Sequence, residues 1–151
     1  VRDNAETAVR SGLRHIQFTV RPEEEAEAID AYLRALQPVP SPHLVDGKPS
    51  AAATRGKKVF AAADCVRCHS GTLFTNQKHY DLGMGRFQDT GRNFDTPTLV
   101  EIWRTAPYLH DGRAATLRDV LTTHNPKDRH GKTSGLSDEQ IDDLVEFLLV
   151  Q

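Results

Sequence analysis

The sequence predicts a mostly α fold, and three observations carry that expectation. Behind Ser137 and Gln140, a capping pair, the residues Ile141, Leu144, Val145, Leu148 and Leu149 form one apolar stripe at helical spacing. No segment shows the strict apolar–polar alternation of a half-buried strand. The stretch Cys65-Val66-Arg67-Cys68-His69 sets two thiols three positions apart with a histidine directly behind them, which suits a short helical turn.

Taken in order, residues 6–18 carry Val9, Leu13, Ile16 and Phe18, enough for a short helix. Pro22 followed by Glu23, Glu24 and Glu25 starts the next helix, with proline in the first turn and acids at the positive end of the dipole. Ile29, Tyr32, Leu33 and Leu36 then extend it to about residue 36. Pro38, Pro40 and Pro42 end it, so residues 37–50 read as an extended linker. The expected division is an N-terminal helical segment with its linker at 1–42 and a second domain at 43–151. Residues 51–62 are alanine-rich and helical, with Val59 and Phe60 to bury. From Ser70 to Pro97 there is little periodicity, and glycines recur at 71, 83, 85 and 91. A loop of that length is expected where a chain wraps a cofactor. Residues 98–104 suit a short helix, 107–112 a tight turn, and Thr116 caps a short helix from Leu117 to about Thr123. A polar loop at 124–136 leads into the terminal helix.

The cysteine–histidine stretch has a chemical reading. On one helical turn the Cys65 and Cys68 thiols reach the two vinyl groups of a porphyrin and form thioethers, and His69 lies under the iron as proximal ligand. These are the only cysteines in the chain. A disulfide across so short a loop is strained and gains little loop-closure entropy. A zinc site needs ligands the sequence does not offer nearby. One covalently bound haem c is the expectation.

Composition agrees with that reading and excludes others. Hydrophobic residues are 38% of 151, lean for a self-sufficient core, and a haem supplies the missing apolar surface. The formal net charge of -2 gives no ground for nucleic-acid binding, and no apolar run is long enough for membrane insertion. Thioether attachment of haem happens outside the cytoplasm, so a periplasmic or other extracytoplasmic location is expected. The sequence shows no signal peptide, which reads as a mature form or a piece of a longer precursor.

A helix entering the haem motif, a long loop, short helices and a terminal amphipathic helix follow the order of a cytochrome c-like haem domain with long haem-wrapping loops. In that arrangement Val59 and Phe60 meet Leu144 and Leu148. Further residues narrow the resemblance. Asp95-Thr96-Pro97-Thr98-Leu99, then Thr105-Ala106-Pro107-Tyr108-Leu109-His110-Asp111-Gly112-Arg113-Ala114-Ala115-Thr116-Leu117, resemble the C-terminal haem domain of the bacterial di-haem cytochrome c peroxidase and MauG family. Gly56-Lys57-Lys58-Val59-Phe60, Leu73-Phe74-Thr75 and Asp81-Leu82-Gly83 resemble it too, so the match covers about 51–151. Residues 13–42 resemble the closing helix and linker of that family's first haem domain, whose own haem motif is missing here. The resemblance therefore implies a portion of a longer multi-haem protein, or a partner of one.

In that family the distal ligand follows the Thr-Leu helix, and counting on from Thr116-Leu117 lands on His124. The expected iron ligands are His69 and His124, with Met84, the only methionine, as the alternative. His110 is expected to hydrogen-bond a haem propionate or a backbone carbonyl, and Arg104 and Arg113 to pair with propionates. Thr105 and Pro107 match the family's calcium-binding carbonyls, so calcium is a further implied cofactor. Arg55, Lys57, Lys58 and Arg67 are placed to meet an acidic redox partner. The leading function is single-electron transfer through a six-coordinate, bis-histidine haem to a redox partner protein or a second haem domain. The alternatives are the electron-donating half of a di-haem peroxidase-like oxidoreductase, and a haem that serves as structural staple or gas sensor.

Overall fold

In the computed structural model, which describes residues 4–151, the mostly α architecture forms as expected, with five α-helices among the described residues. They are α1 (Ala5–His15), α2 (Glu23–Ala35), α3 (Ala51–Ala62), α4 (Leu117–Leu121) and α5 (Asp138–Leu149). The chain divides after Pro38 into two compact units. Val39 and Ser41 belong to the second unit, because the Val39 N–H donates to the Glu101 carboxylate and the Ser41 hydroxyl to the Leu149 carbonyl.

The first unit is an α1–α2 hairpin. Asn4 caps α1 by accepting from the Thr7 N–H at 2.8 Å. Arg10 reaches across to Asp30 at 2.6 Å and Glu23 at 2.7 Å, and Arg34 reaches Glu6 at 2.7 Å. Ala26 is its one buried apolar residue among those described, while Phe18, Val20 and Ile16 are exposed. Ion pairs of this kind contribute little on their own, so the hairpin has a thin core.

The second unit is organised by α3 crossing α5. The helices touch at Gly56, where a Cβ would stand only 1.8 Å from the Asp143 carbonyl oxygen. Only glycine permits this approach. Beside it, Arg55 grips the buried Asp143 carboxylate with two hydrogen bonds of 2.7 and 2.6 Å. Phe60 packs on Phe147 with centroids 5.1 Å apart, and Phe74 closes the cluster at 6.2 Å from each. Phe60, Leu144 and Leu148 share the buried core, and Val59 packs at its edge. Capping boxes start both later helices, Thr116 with Asp119 for α4 and Ser137 with Gln140 for α5.

Three local expectations differ. The long loop carries a short antiparallel pair, β1 (His79–Tyr80) with β2 (Phe94–Asp95), too short for alternation to signal. Only Ile102–Arg104 of the segment 98–104 is helical, as a 3-10 turn. Helix α4 stops at Leu121, two residues short of the expected Thr123.

Candidate haem site

Asp64 takes a left-handed conformation (φ 64°) just past α3, which turns the chain into a 3-10 turn at Cys65–Arg67. The Cys68 and His69 N–H groups both donate to the Cys65 carbonyl, at 3.2 and 2.9 Å. This local turn brings Cys65, Cys68 and His69 to the wall of one cavity of about 500 Å³. The two cysteines form no disulfide. Burial pushes the Cys65 thiol up to about 11. The other walls are largely apolar, supplied by Phe60, Leu99, Leu117, Leu121, Leu144 and Leu148. Volume and lining suit a large, flat, apolar group.

Inside the cavity His69 is buried, and its Nδ1–H donates to the Phe74 carbonyl at 3.0 Å. That bond leaves the lone pair on Nε2, the tautomer a metal ligand needs. Burial holds the imidazole below its ordinary pKa against opposing backbone hydrogen bonds. A second imidazole lines the same cavity. The His130 ring centroid lies 6.2 Å from that of His69, with the planes tilted by 47°. Its Nδ1 is sealed from solvent with no hydrogen-bond partner, and burial, then the charge of His69, push it down to about 4. An orphaned imidazole nitrogen in an apolar cavity is a group that a bound metal cofactor satisfies. Two neutral histidines, two thiols and apolar walls fit a haem c.

The structure distributes the expected residues unevenly. His110 lines the cavity, stacks on Phe94 at 4.0 Å and stands 3.9 Å from Asp89. Thr105 and Pro107 line it as well. Met84 lines both this cavity and a neighbouring cleft of about 190 Å³. His124 is not brought to the cavity. Beyond the end of α4 its N–H bonds back to the Asp119 carbonyl, and the residue lines the neighbouring cleft with Arg86 and Arg113. Arg113 lies in that cleft too, held by Asp111 and the Met84 carbonyl. Arg104 is turned to Glu101 and lies against Trp103, away from the cavity lining. The guanidinium-bearing residues that do line the cavity are Arg67 and Arg129. His130 and Arg129 sit in an aperiodic polar loop, where spacing carries no signal of what lines the cavity.

The sequence matches the family described as cytochrome c over residues 53–150. It is 33% identical to the gamma subunit of hydrazine synthase from Kuenenia stuttgartiensis, a match covering 81% of this chain and 47% of that subunit. It is 32% identical to the methylamine utilization protein MauG of Methylorubrum extorquens, over 64% of this chain and 33% of that protein. A structure of Kuenenia stuttgartiensis hydrazine synthase under xenon superposes with a TM-score of 0.79 at 29% identity, covering 95% of this chain and 60% of that one. A MauG-like protein associated with microbial copper homeostasis shares the fold, with a TM-score of 0.67 at 19% identity and coverage of 92% and 59%. The chain spans about half or less of the length of the curated relatives it matches.

Proposed function

Because the chain belongs to the cytochrome c family, related to di-haem peroxidase and MauG proteins, we propose that it transfers single electrons through one covalently attached, six-coordinate haem c. The observation that carries this reading is the pair of imidazoles, His69 and His130, that line one apolar cavity with ring centroids 6.2 Å apart. An iron closed by protein groups on both faces has no open position for a substrate. Haem c bound there supplies a one-electron ferric/ferrous couple.

The chain's own residues do the rest. Cys65 and Cys68 hold the porphyrin through thioethers, so the haem stays bound through redox cycling. The Phe74 carbonyl fixes the His69 ring and raises its basicity. Leu117, Leu121, Leu144 and Leu148 exclude water, which limits the reorganisation that accompanies each electron. Val66, between the two cysteines, is 44% exposed and marks the edge at which a partner meets the haem. Lys57 and Lys58 on α3 are exposed and form no ion pair among the described residues, and Arg67 next to Val66 is exposed as well, so these are the basic residues offered to an acidic partner, while Arg55 is committed to Asp143.

The partner is a redox protein or a second haem domain of the same, longer, extracytoplasmic protein. The α1–α2 hairpin supports this, because Phe18 at 87% exposure and Val20 at 83% present apolar surface with little core beneath. In that setting the haem also suits the electron-donating half of a peroxidase-like oxidoreductase, with catalysis at the other haem. Calcium at the Thr105 and Pro107 carbonyls belongs to the same setting.

Optical and paramagnetic resonance spectra of the ferric holoprotein test the reading. A low-spin spectrum without the far-red sulfur-to-iron band is expected. High-spin iron that binds cyanide or peroxide rapidly overturns it.

A further inference from the structure

Deepening that reading, on which it rests, we propose that His130 is the second iron ligand and that Asn125 is the residue that positions it. The first argument is distance. With metal–imidazole bonds of about 2 Å and a ring nitrogen about 1.1 Å from its centroid, two imidazoles trans on one metal stand roughly 6.3 Å apart, centroid to centroid. His69 and His130 stand 6.2 Å apart, centroid to centroid, and both line the cavity that carries Cys65 and Cys68. His124 lines a different cleft, to which Met84 also turns.

The second argument is that the loop carrying His130 is built to hold it. Asn125 is buried, and its side chain contacts the loop at four polar atoms, the two Nδ2 hydrogens being shared among three acceptors. Its Oδ1 accepts from the His130 N–H at 2.9 Å. Its Nδ2 donates to the carbonyls of His130 at 3.1 Å and Gly131 at 2.9 Å, and to Thr133 Oγ1 at 2.8 Å. Thr133 passes the restraint on, its hydroxyl donating to the Leu121 carbonyl at the end of α4 at 2.6 Å. On the other side the Lys132 N–H donates to the Ala63 carbonyl at 2.8 Å, just ahead of the haem motif. Gly131, at φ 81°, passes so close that a Cβ there would lie 3.5 Å from Cys65 Sγ. The loop is thus bolted both to α4 and to the approach of the haem motif. Buried polar networks of this kind fix a single arrangement, and residues supporting a metal ligand matter nearly as much as the ligand.

The test uses the holoprotein, with ferric optical and paramagnetic resonance spectra as readout. His130→Ala should lose the native low-spin spectrum and recover it on adding imidazole, whereas His124→Ala should keep the native spectrum. His130→Met guards against a variant that fails to mature, and should acquire the far-red sulfur-to-iron band. Asn125→Ala should gain a high-spin fraction and bind cyanide about tenfold faster or more, the size expected when a ligand loses its support. Asn125→Asp, which keeps the acceptor for the His130 N–H, should recover part of that loss. An unchanged spectrum in His130→Ala or His130→Met overturns the ligand assignment, as does loss of the low-spin signal in His124→Ala. Wild-type spectra and cyanide binding in Asn125→Ala together decide the positioning role: native rates overturn it. A high-spin wild type strikes the electron-transfer reading itself, whereas a low-spin wild type with an indifferent His130 strikes only the ligand.

Discussion

Replacing Gly56 by alanine tests whether the α3–α5 crossing is what presents the haem motif. The added Cβ would fall 1.8 Å from the Asp143 carbonyl oxygen, 2.5 Å from its carbon and 2.8 Å from the Phe147 Cβ. None of these is the tip of a flexible side chain, so the helices themselves must part. An ordinary contact needs about 3.5 Å or more between such atoms, which requires a local separation of roughly 1.5 Å or more. That movement loosens the Phe60–Phe147 contact at 5.1 Å and the paired bonds of Arg55 to Asp143. Overpacking of this sort costs about 1–3 kcal/mol, and the higher helix propensity of alanine returns only about 1 kcal/mol. Because backbone rather than side chain obstructs the Cβ, the upper part of the range applies, and a net loss of about 2 kcal/mol is expected. Guanidinium unfolding of wild-type and Gly56→Ala holoprotein, followed by far-UV circular dichroism, measures it. A variant as stable as the wild type, or more so, would refute the close crossing.

Leu144→Ala removes the one large side chain that is fully buried among the described residues, and the cavity left should cost about 2–5 kcal/mol by the same unfolding assay. Cys68→Ser should leave the haem attached by a single thioether, read as a red-shifted pyridine haemochrome band; an unshifted band would mean that Cys68 is not an attachment point. Ser137→Ala removes one half of the α5 capping box and should lower stability by about 1 kcal/mol, since its hydroxyl accepts the Gln140 N–H. Asp119 closes the α4 box, and hydrogen bonds from the Thr116 hydroxyl and N–H hold its carboxyl below the ordinary value. A carboxyl depressed in the folded state contributes stability above its unfolded pKa of about 3.9 and loses it as pH falls through the lower folded value. Unfolding midpoints measured below about pH 4 should therefore fall less steeply in Asp119→Asn than in the wild type.

Much of this molecule is legible from residue order because it is local. The haem motif folds on its own hydrogen bonds, with the Cys68 and His69 N–H groups closing onto the Cys65 carbonyl. The caps at Thr116 and Ser137 and the stripe from Ile141 to Leu149 involve residues within a few positions of one another. Their period and chemistry follow from helix geometry alone. The same locality explains why the terminal helix and the haem-bearing turn were anticipated nearly to the residue, while a two-residue strand pair such as β1–β2 was not.

Which residues join His69 in lining the cavity belongs to a different class of information. His124 and His130 share one aperiodic loop, and nothing in their spacing says which enters the cavity. The course of the loop is decided by bonds from Asn125, from Thr133 to Leu121 and from Lys132 to Ala63, the last joining residues far apart in the chain. Arg104 is drawn away from the cavity by its neighbour Glu101, while Arg67 and Arg129 line it. By itself, then, the sequence determined a mostly α domain and the single turn that carries Cys65, Cys68 and His69, because both follow from residues close together in the chain. Which loop residues line the cavity was decided by the tertiary structure alone, because the course of the loop depends on hydrogen bonds, such as that from Lys132 to Ala63, that close only when α3, α4 and the loop are packed together.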